Sequence, residues 1–325
     1  VADTIGDPEN PEPVQALPVD PPTLSMSFSI NDSPFAGNDG DKVTSRLLAA
    51  RLARESEGNV AIEIERTGDE NTFEVKGRGE LQLGVLIEQL RREGFELSVS
   101  RPRVLYRENP DTGDREEPME EVVIDVDDAY VGAVVEALGE RKGEMMDMRP
   151  SGGGKTRIVF VAPARGLIGY HGQFLNETRG TGVMSRLFHS YAPHKGAIPG
   201  RRNGVLISNA TGKSVPFALW NLEERGVMFI GGGVEVYEGM IIGEHSRGND
   251  LEVNPMKSKK LTNIRASGSD EAVRLTTPRN LKLEEAISYI DDDELVEVTP
   301  QHIRIRKRLL DPHDRKKESR KAESA

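Results

Sequence analysis

Apolar residues alternate at Leu24, Met26, Phe28 and Ile30, the period of two that predicts a half-buried strand. Thr44–Glu57 changes character: it is rich in Leu, Ala and Arg, all good helix formers. Val60, Ile62 and Ile64 alternate again, followed by Phe73 and Val75. Leu83, Leu86, Ile87 and Leu90 then fall at i, i+3, i+4 and i+7, one apolar stripe of a helix. Gly94 marks its stop, because glycine takes the left-handed conformation at a helix end without steric cost. Phe95, Leu97 and Val99 return to strand spacing. The order is β-α-β-β-α-β, the split βαβ or ferredoxin-like unit, over residues 23–108.

The same order recurs over residues 117–195. Val122, Ile124 and Val126 alternate, and Tyr130, Val134, Ala137 and Leu138 make a helix stripe. Glu144–Arg149 and Thr156–Ala162 predict a hairpin around Ser151–Lys155. A helix near His171–Thr178 and a strand at Val183–Tyr191 complete the set. Residues 197–310 read differently. Short strands (Gly204–Ser208, Gly233–Tyr237, Met240–Glu244, Ile303–Arg306) mix with short helices (Val215–Arg225, Leu283–Ile290), an α+β or mostly-β domain. Residues 1–22 hold many Pro and acidic residues and no Lys or Arg, which predicts an extended linker. A chain that opens in such a linker is expected to be the back portion of something longer. Residues 311–325 are charged and poor in apolar residues, which predicts a disordered tail. The expected fold class is α+β: two tandem ferredoxin-like βαββαβ domains, then a distinct C-terminal domain.

Composition narrows the function. There is no cysteine, so disulfides, thiolate metal sites and cysteine nucleophiles are excluded. No apolar run approaches the ~20 residues of a membrane span, and the N-terminus has no signal-peptide pattern. A cytoplasmic protein is the expectation. The net charge of −11 argues against a generally basic surface. The distribution is more informative: residues 301–325 hold nine Lys and Arg against four Asp and Glu. Phosphate attraction acts within about one Debye length, ~10 Å, so local basic segments on an acidic body can still grip RNA.

Two segments resemble phosphate loops. Gly154-Lys155-Thr156 has Arg149 where the leading glycine belongs, and a strand follows it, so a glycine-rich hairpin turn is the competing reading. Gly212-Lys213-Ser214 follows a strand and precedes a helix, but Ile207 holds the leading position; a helix cap or backbone anion contact competes. The six histidines show no metal-ligand spacing, and no catalytic constellation stands out. Basic segments carry more. Asn254–Arg265 holds Lys257, Lys259, Lys260 and Arg265 with no acid, in a Pro- and Asn-containing loop. Arg165 and Arg179 flank Gly-rich turns whose amides can reach phosphate. Arg304, Arg306, Lys307 and Arg308 form a further run, extended by Arg315, Lys316, Lys317, Arg320 and Lys321; a solubilising tail and an RNA contact compete there.

Longer runs carry a family resemblance. Gly77, Gly79, Glu80 and Leu81, then Pro102, Val104, Tyr106, Arg107 and Glu108, match a stretch in the third domain of elongation factor G-like GTPases. APARGLIG (162–169) with RGTG (179–182), NATGKSVPFALWNLEERG (209–226), the run from Gly233 to Ser267 and AISYIDDDELVEVTPQHIRIRKRLL (286–310) resemble the BipA/TypA translational GTPases. The resemblance covers nearly the whole chain to about Leu310. It implies that 23–108 and 117–195 are the third and fifth domains of such a factor and that 197–310 is the family's own C-terminal domain. It further implies binding to the ribosome, chiefly the large subunit, with rRNA and A-site tRNA as partners. The loop 254–265 is implied to reach toward that tRNA; no membrane or DNA contact is expected. The family's GTP- and Mg²⁺-binding domain is expected to precede residue 1, so no cofactor and no catalysis are expected within these residues. Two rivals stand beside this reading: a nucleotide hydrolase using Gly212-Lys213-Ser214, and a protein-interaction scaffold that meets no RNA.

Overall fold

The computed structural model describes residues 7, 9, 20–69, 71–257 and 274–323. Its contacts divide the chain into two compact units. The first gathers residues up to Ile30 with Asp41–Phe95 and Pro102–Pro199; the second gathers Asn31–Gly40, Glu96–Arg101 and everything from Gly200.

In the first unit, strand Leu24–Ile30 pairs antiparallel with Thr72–Gly77, in a register that sets Met26 against Val75 and Phe28 against Phe73. The period-two positions therefore share one face, and Leu24, Met26, Phe28, Phe73 and Val75 are all buried. Glu63–Arg66 pairs on the other side of Thr72–Gly77. This strand starts later than Val60 and Ile62 suggested, because the Asn59 side chain accepts the Ala61 amide (3.2 Å) and its carbonyl the Ile62 amide (3.1 Å), a turn that consumes both residues. Helix Glu80–Arg92 buries the expected stripe of Leu83, Leu86, Ile87 and Leu90. Gly94 ends it at φ +90°, with the Phe95 amide returning to Leu90 O at 3.1 Å.

The same unit holds an antiparallel sheet in the order Val183–Pro193, Arg115–Asp127, Lys155–Pro163, Glu144–Gly152, with Arg107–Glu108 joined to Arg115–Asp127. Helices Val131–Glu140 and Tyr170–Glu177 contribute to its core, where Val122, Ile124, Val126, Val134, Leu138, Phe160 and Phe174 pack together. The hairpin between Glu144–Gly152 and Lys155–Pro163 turns through Gly152, Gly153 and Gly154, all at positive φ. Lys155 opens a strand, and the first phosphate-loop candidate is the hairpin turn.

The second unit is a sheet in the order Leu251–Val253, Val205–Ser208, Met240–His245, Ile303–Lys307, Glu294–Val298, Leu97–Val99. Leu251–Val253 and Val205–Ser208 run parallel; the other neighbours run antiparallel. Leu97–Val99 is a strand, as Phe95, Leu97 and Val99 predicted; it pairs with Glu294–Val298 and groups with the C-terminal unit. Glu96 explains how residues 31–40 accompany it. Its carboxylate is fully buried and accepts the amides of Gly37 (2.8 Å), Asp39 (2.9 Å) and Gly40 (2.7 Å) and the Asn31 side chain (3.1 Å). A buried carboxylate with that many donors fixes the loop around it.

The expected disordered tail is corrected: Pro312–Glu323 is a helix. Pro312 suits the first helical position, and the Asp311 carboxylate accepts the His313 amide at 2.6 Å. Composition misled because this helix has no apolar face. Ion pairs tether it instead: Arg315 with Glu252, and Arg308 with Glu318 at 2.9 Å. Among the described residues, no helix is long and apolar enough to cross a membrane.

Candidate nucleic-acid interface

The basic positions picked out in the sequence meet different fates. Glu294–Val298 and Ile303–Lys307 form a hairpin whose register sets Glu294 opposite Lys307 and Glu297 opposite Arg304. Acid therefore faces base at both places, the cross-strand pairing that stabilises a sheet. Lys307 is 2% exposed, and its ammonium contacts Asp250 (2.6 Å), Asp293 (2.8 Å) and Glu294 (3.0 Å). Arg304 pairs with Glu297 at 2.8 Å and lies over the Phe35 ring. Arg306 is 1% exposed and pairs with Asp32 and the Ser98 hydroxyl. Of these three expected RNA contacts, Arg306 and Lys307 are interior cations and Arg304 is half-buried. Their charge is neutralised within the molecule, and Arg306 and Lys307 are closed to a phosphate.

Glu294 is the hub of that cluster. It is wholly buried, and Arg201 grips it with two bonds of 2.8 Å. Burial alone would raise its carboxyl, but Arg201 and Lys307 hold it below the ordinary carboxylate range. The same acids raise the Lys307 ammonium, against the opposing effect of burial. Sequence reasoning missed Arg201 and Glu294. The signal was present: the acids at 294 and 297 mirror the bases at 307 and 304 about a turn.

Arg165 is also committed. It pairs with the buried Glu117, which in turn accepts the Lys195 amide at 2.7 Å. A second buried network holds Arg186 between Glu120 (2.7 Å) and Glu80 (3.4 Å). Burial raises the Glu80 carboxyl, although Arg186 and the Gly169 amide pull it the other way.

The outward cations form the remaining set. Arg179 is exposed and sits at φ +50°, in the turn that ends helix Tyr170–Glu177. Left-handed backbone costs a non-glycine residue roughly 1–2 kcal/mol. Lys257 is exposed just beyond Pro255, whose carbonyl accepts the Val215 amide at 2.9 Å. Lys259, Lys260 and Arg265 lie outside the described residues. Arg308 is half-exposed and joined to Glu318.

The terminal helix turns the rest of the basic run into a surface. His313, Lys316, Lys317, Arg320 and Lys321 are all exposed and line one open groove. Their spacing of three, one, three and one places them on one side of the helix.

Gly212-Lys213-Ser214 is not a phosphate cradle. Gly212 and Lys213 are strand residues paired with Glu235 and Val236. The Ser214 amide donates to Val234 O (2.9 Å) and its hydroxyl to Gly231 O (2.8 Å). Amides that would have to face a phosphate are already engaged.

The "TypA/BipA C-terminal domain" family model matches residues 203–312, and "Elongation factor G C-terminus" matches residues 115–202. The protein named "Large ribosomal subunit assembly factor BipA" is 54% identical over 321 residues in Salmonella typhimurium, covering 98% of this chain and 53% of that protein. Its counterpart in Haemophilus influenzae is 54% identical over 98% of this chain and 52% of its own length. The one in Buchnera aphidicola is 50% identical over all of this chain and 53% of its own. The chain thus spans about half the length of the curated relatives it matches. It belongs to the BipA/TypA family and corresponds to the C-terminal portion of its members.

Proposed function

We propose that this chain is the ribosome-binding C-terminal part of a BipA/TypA-like translational GTPase. The observation that carries this reading is the identity of 54% with a protein named as a large ribosomal subunit assembly factor. Two ferredoxin-like domains in tandem and a family-specific domain present basic positions to rRNA and A-site tRNA. In the intact protein this part acts in large-subunit assembly, translation and the stress response, in the cytoplasm. GTP and Mg²⁺ belong to the region outside the matched half, and the mechanism here is positional: shape and phosphate contacts coupled to a nucleotide state held elsewhere. Lys257, Lys259, Lys260 and Arg265 form the gripping loop, with Arg179 as an outward contact.

Co-sedimentation with purified large ribosomal subunits across a salt series tests this. The expected result is binding that weakens with salt, with the salt slope falling by about 2 in Lys257→Ala/Lys259→Ala/Lys260→Ala, from roughly 0.7 per phosphate. Absence of binding by the wild-type chain, or binding that ignores both salt and substitution, overturns it. The second of these results favours the protein-scaffold reading.

A further inference from the structure

We propose that the terminal helix Pro312–Glu323 is a phosphate-tracking element that binds single-stranded RNA through its cationic stripe. This inference deepens the ribosomal reading above and rests on it for its biological partner. Among the described residues, the contacts that attach the helix do not involve Lys316, Lys317 or Arg320. Its attachment uses the other side: Arg315 pairs with Glu252 and donates to the carbonyls of Leu309 and Leu310 (2.6 Å each), and Glu318 pairs with Arg308. The stripe residues His313, Lys316, Lys317, Arg320 and Lys321 stand exposed around one groove. At 1.5 Å per residue the stripe runs about 12 Å along the axis.

The chemistry of the face selects the partner. A chain of net charge −11 concentrates cations here, so a polyanion is the complementary surface. The helix sequence PHDRKKESRKAE contains no Leu, Ile, Val, Met or aromatic residue. A membrane-surface helix needs an apolar face to bury among the lipid chains, and this one has none. Protein interfaces are anchored by aromatic or Arg side chains in desolvated pockets; the stripe has no Trp, Tyr or Phe, and its one arginine, Arg320, stands exposed among lysines. Phosphates require neither. Lys and Arg neutralise them and release counterions, which makes the binding strongly dependent on salt. The basic residues of the last turn, Arg320 and Lys321, also favour the helix dipole, but that effect does not call for Lys316 or Lys317.

The test uses the full chain and a single-stranded oligouridylate as probe, read by fluorescence anisotropy from 50 to 200 mM salt. Lys316→Ala/Lys317→Ala/Arg320→Ala removes three contacts. At about 0.7 per phosphate, wild-type affinity should fall roughly 20-fold further than the variant's over that range. A second variant, Lys317→Ser/Ser319→Lys, keeps the net charge and moves one cation to the far side of the helix; it should bind less tightly than wild type. Equal binding by wild type and the charge-neutral swap overturns the proposal, since net charge would then suffice. So does an unchanged salt slope in the triple variant, or tighter binding to phosphatidylglycerol vesicles than to the RNA. Large-subunit co-sedimentation in parallel separates the two readings. Subunit binding that survives with the oligouridylate effect absent removes the stripe and keeps the ribosome. An oligouridylate effect without subunit binding supports the stripe and removes the ribosome.

Discussion

Two stretches of one basic run, Arg304 to Lys307 and Lys316 to Arg320, have opposite fates. On the strand Ile303–Lys307, Arg304, Arg306 and Lys307 all pair with acids, and Arg306 and Lys307 are buried. On the helix Pro312–Glu323, Lys316, Lys317 and Arg320 stand outside. Both stretches are rich in Lys and Arg. What differs is the element and the register. A strand beside a hairpin partner carrying Glu294 and Glu297 neutralises its cations within the sheet, whereas a helix anchored by Arg315 and Glu318 leaves Lys316, Lys317 and Arg320 turned to solvent. A basic run therefore becomes a binding surface only where folding leaves its charge uncompensated.

The sharpest way to break this comparison is to remove the hub of the inward set. Glu294→Ala strands Arg201 without its bidentate partner and takes one of three acids from Lys307. Removing one partner of a buried ion pair costs about 3–5 kcal/mol, because a desolvated charge is left behind. Urea unfolding should show that loss, while Lys316→Ala/Lys317→Ala/Arg320→Ala, all exposed, should shift stability by no more than about 0.5 kcal/mol. Comparable losses for the two variants would mean that the inward and outward cations do not differ in kind.

Much of this was legible in the sequence, and the failures are instructive. Period-two and period-3.6 patterns located Leu24–Ile30 and the stripes of helices Glu80–Arg92 and Val131–Glu140, because burial on one face imposes those periods directly. The long quoted runs brought the family. Burial of Arg306 and Lys307 was not legible from their own segment, since Asp32 and Asp250 are remote in the chain. The pairing of Leu97–Val99 with Glu294–Val298 joins segments about 200 residues apart, which no local pattern encodes. The terminal helix was missed because hydrophobic periodicity is blind to an element held by ion pairs and a cap.

A pH series sharpens the same contrast. The folded-state carboxyl of Glu294 lies below its ordinary value, so its contribution is present above the unfolded value, about 4.3, and is lost as pH falls through the folded value. The stability gap between wild type and Glu294→Gln should therefore close as pH drops below about 4.3. Glu80 runs in the opposite sense. Its folded carboxyl is raised, so its contribution is present below the unfolded value and is lost as pH rises through the folded one. Glu80→Gln should accordingly compare best with wild type at neutral pH. Parallel pH profiles for the two variants would show that these buried carboxylates are not held in different states.

A small effect is also expected from the most buried arginine. Arg306 is enclosed, yet its partner Asp32 has a side chain that is 70% exposed, and its Nε has no hydrogen-bond partner among the described residues. Truncating it leaves no stranded buried charge, because water can take over Asp32. It also removes an unsatisfied donor from the interior, where such a group costs about 1–3 kcal/mol. Arg306→Met fills much of the same volume with apolar atoms, and replacement of buried ions by apolar residues is often neutral or stabilising. Its unfolding free energy should lie within about 1 kcal/mol of wild type, against the far larger loss for Glu294→Ala. A loss of 3 kcal/mol or more in Arg306→Met would show that burial alone sets the cost. The pattern expected here is different: the cost follows the charge left unpaired, and the same quantity decides which cations of the run remain available to a phosphate.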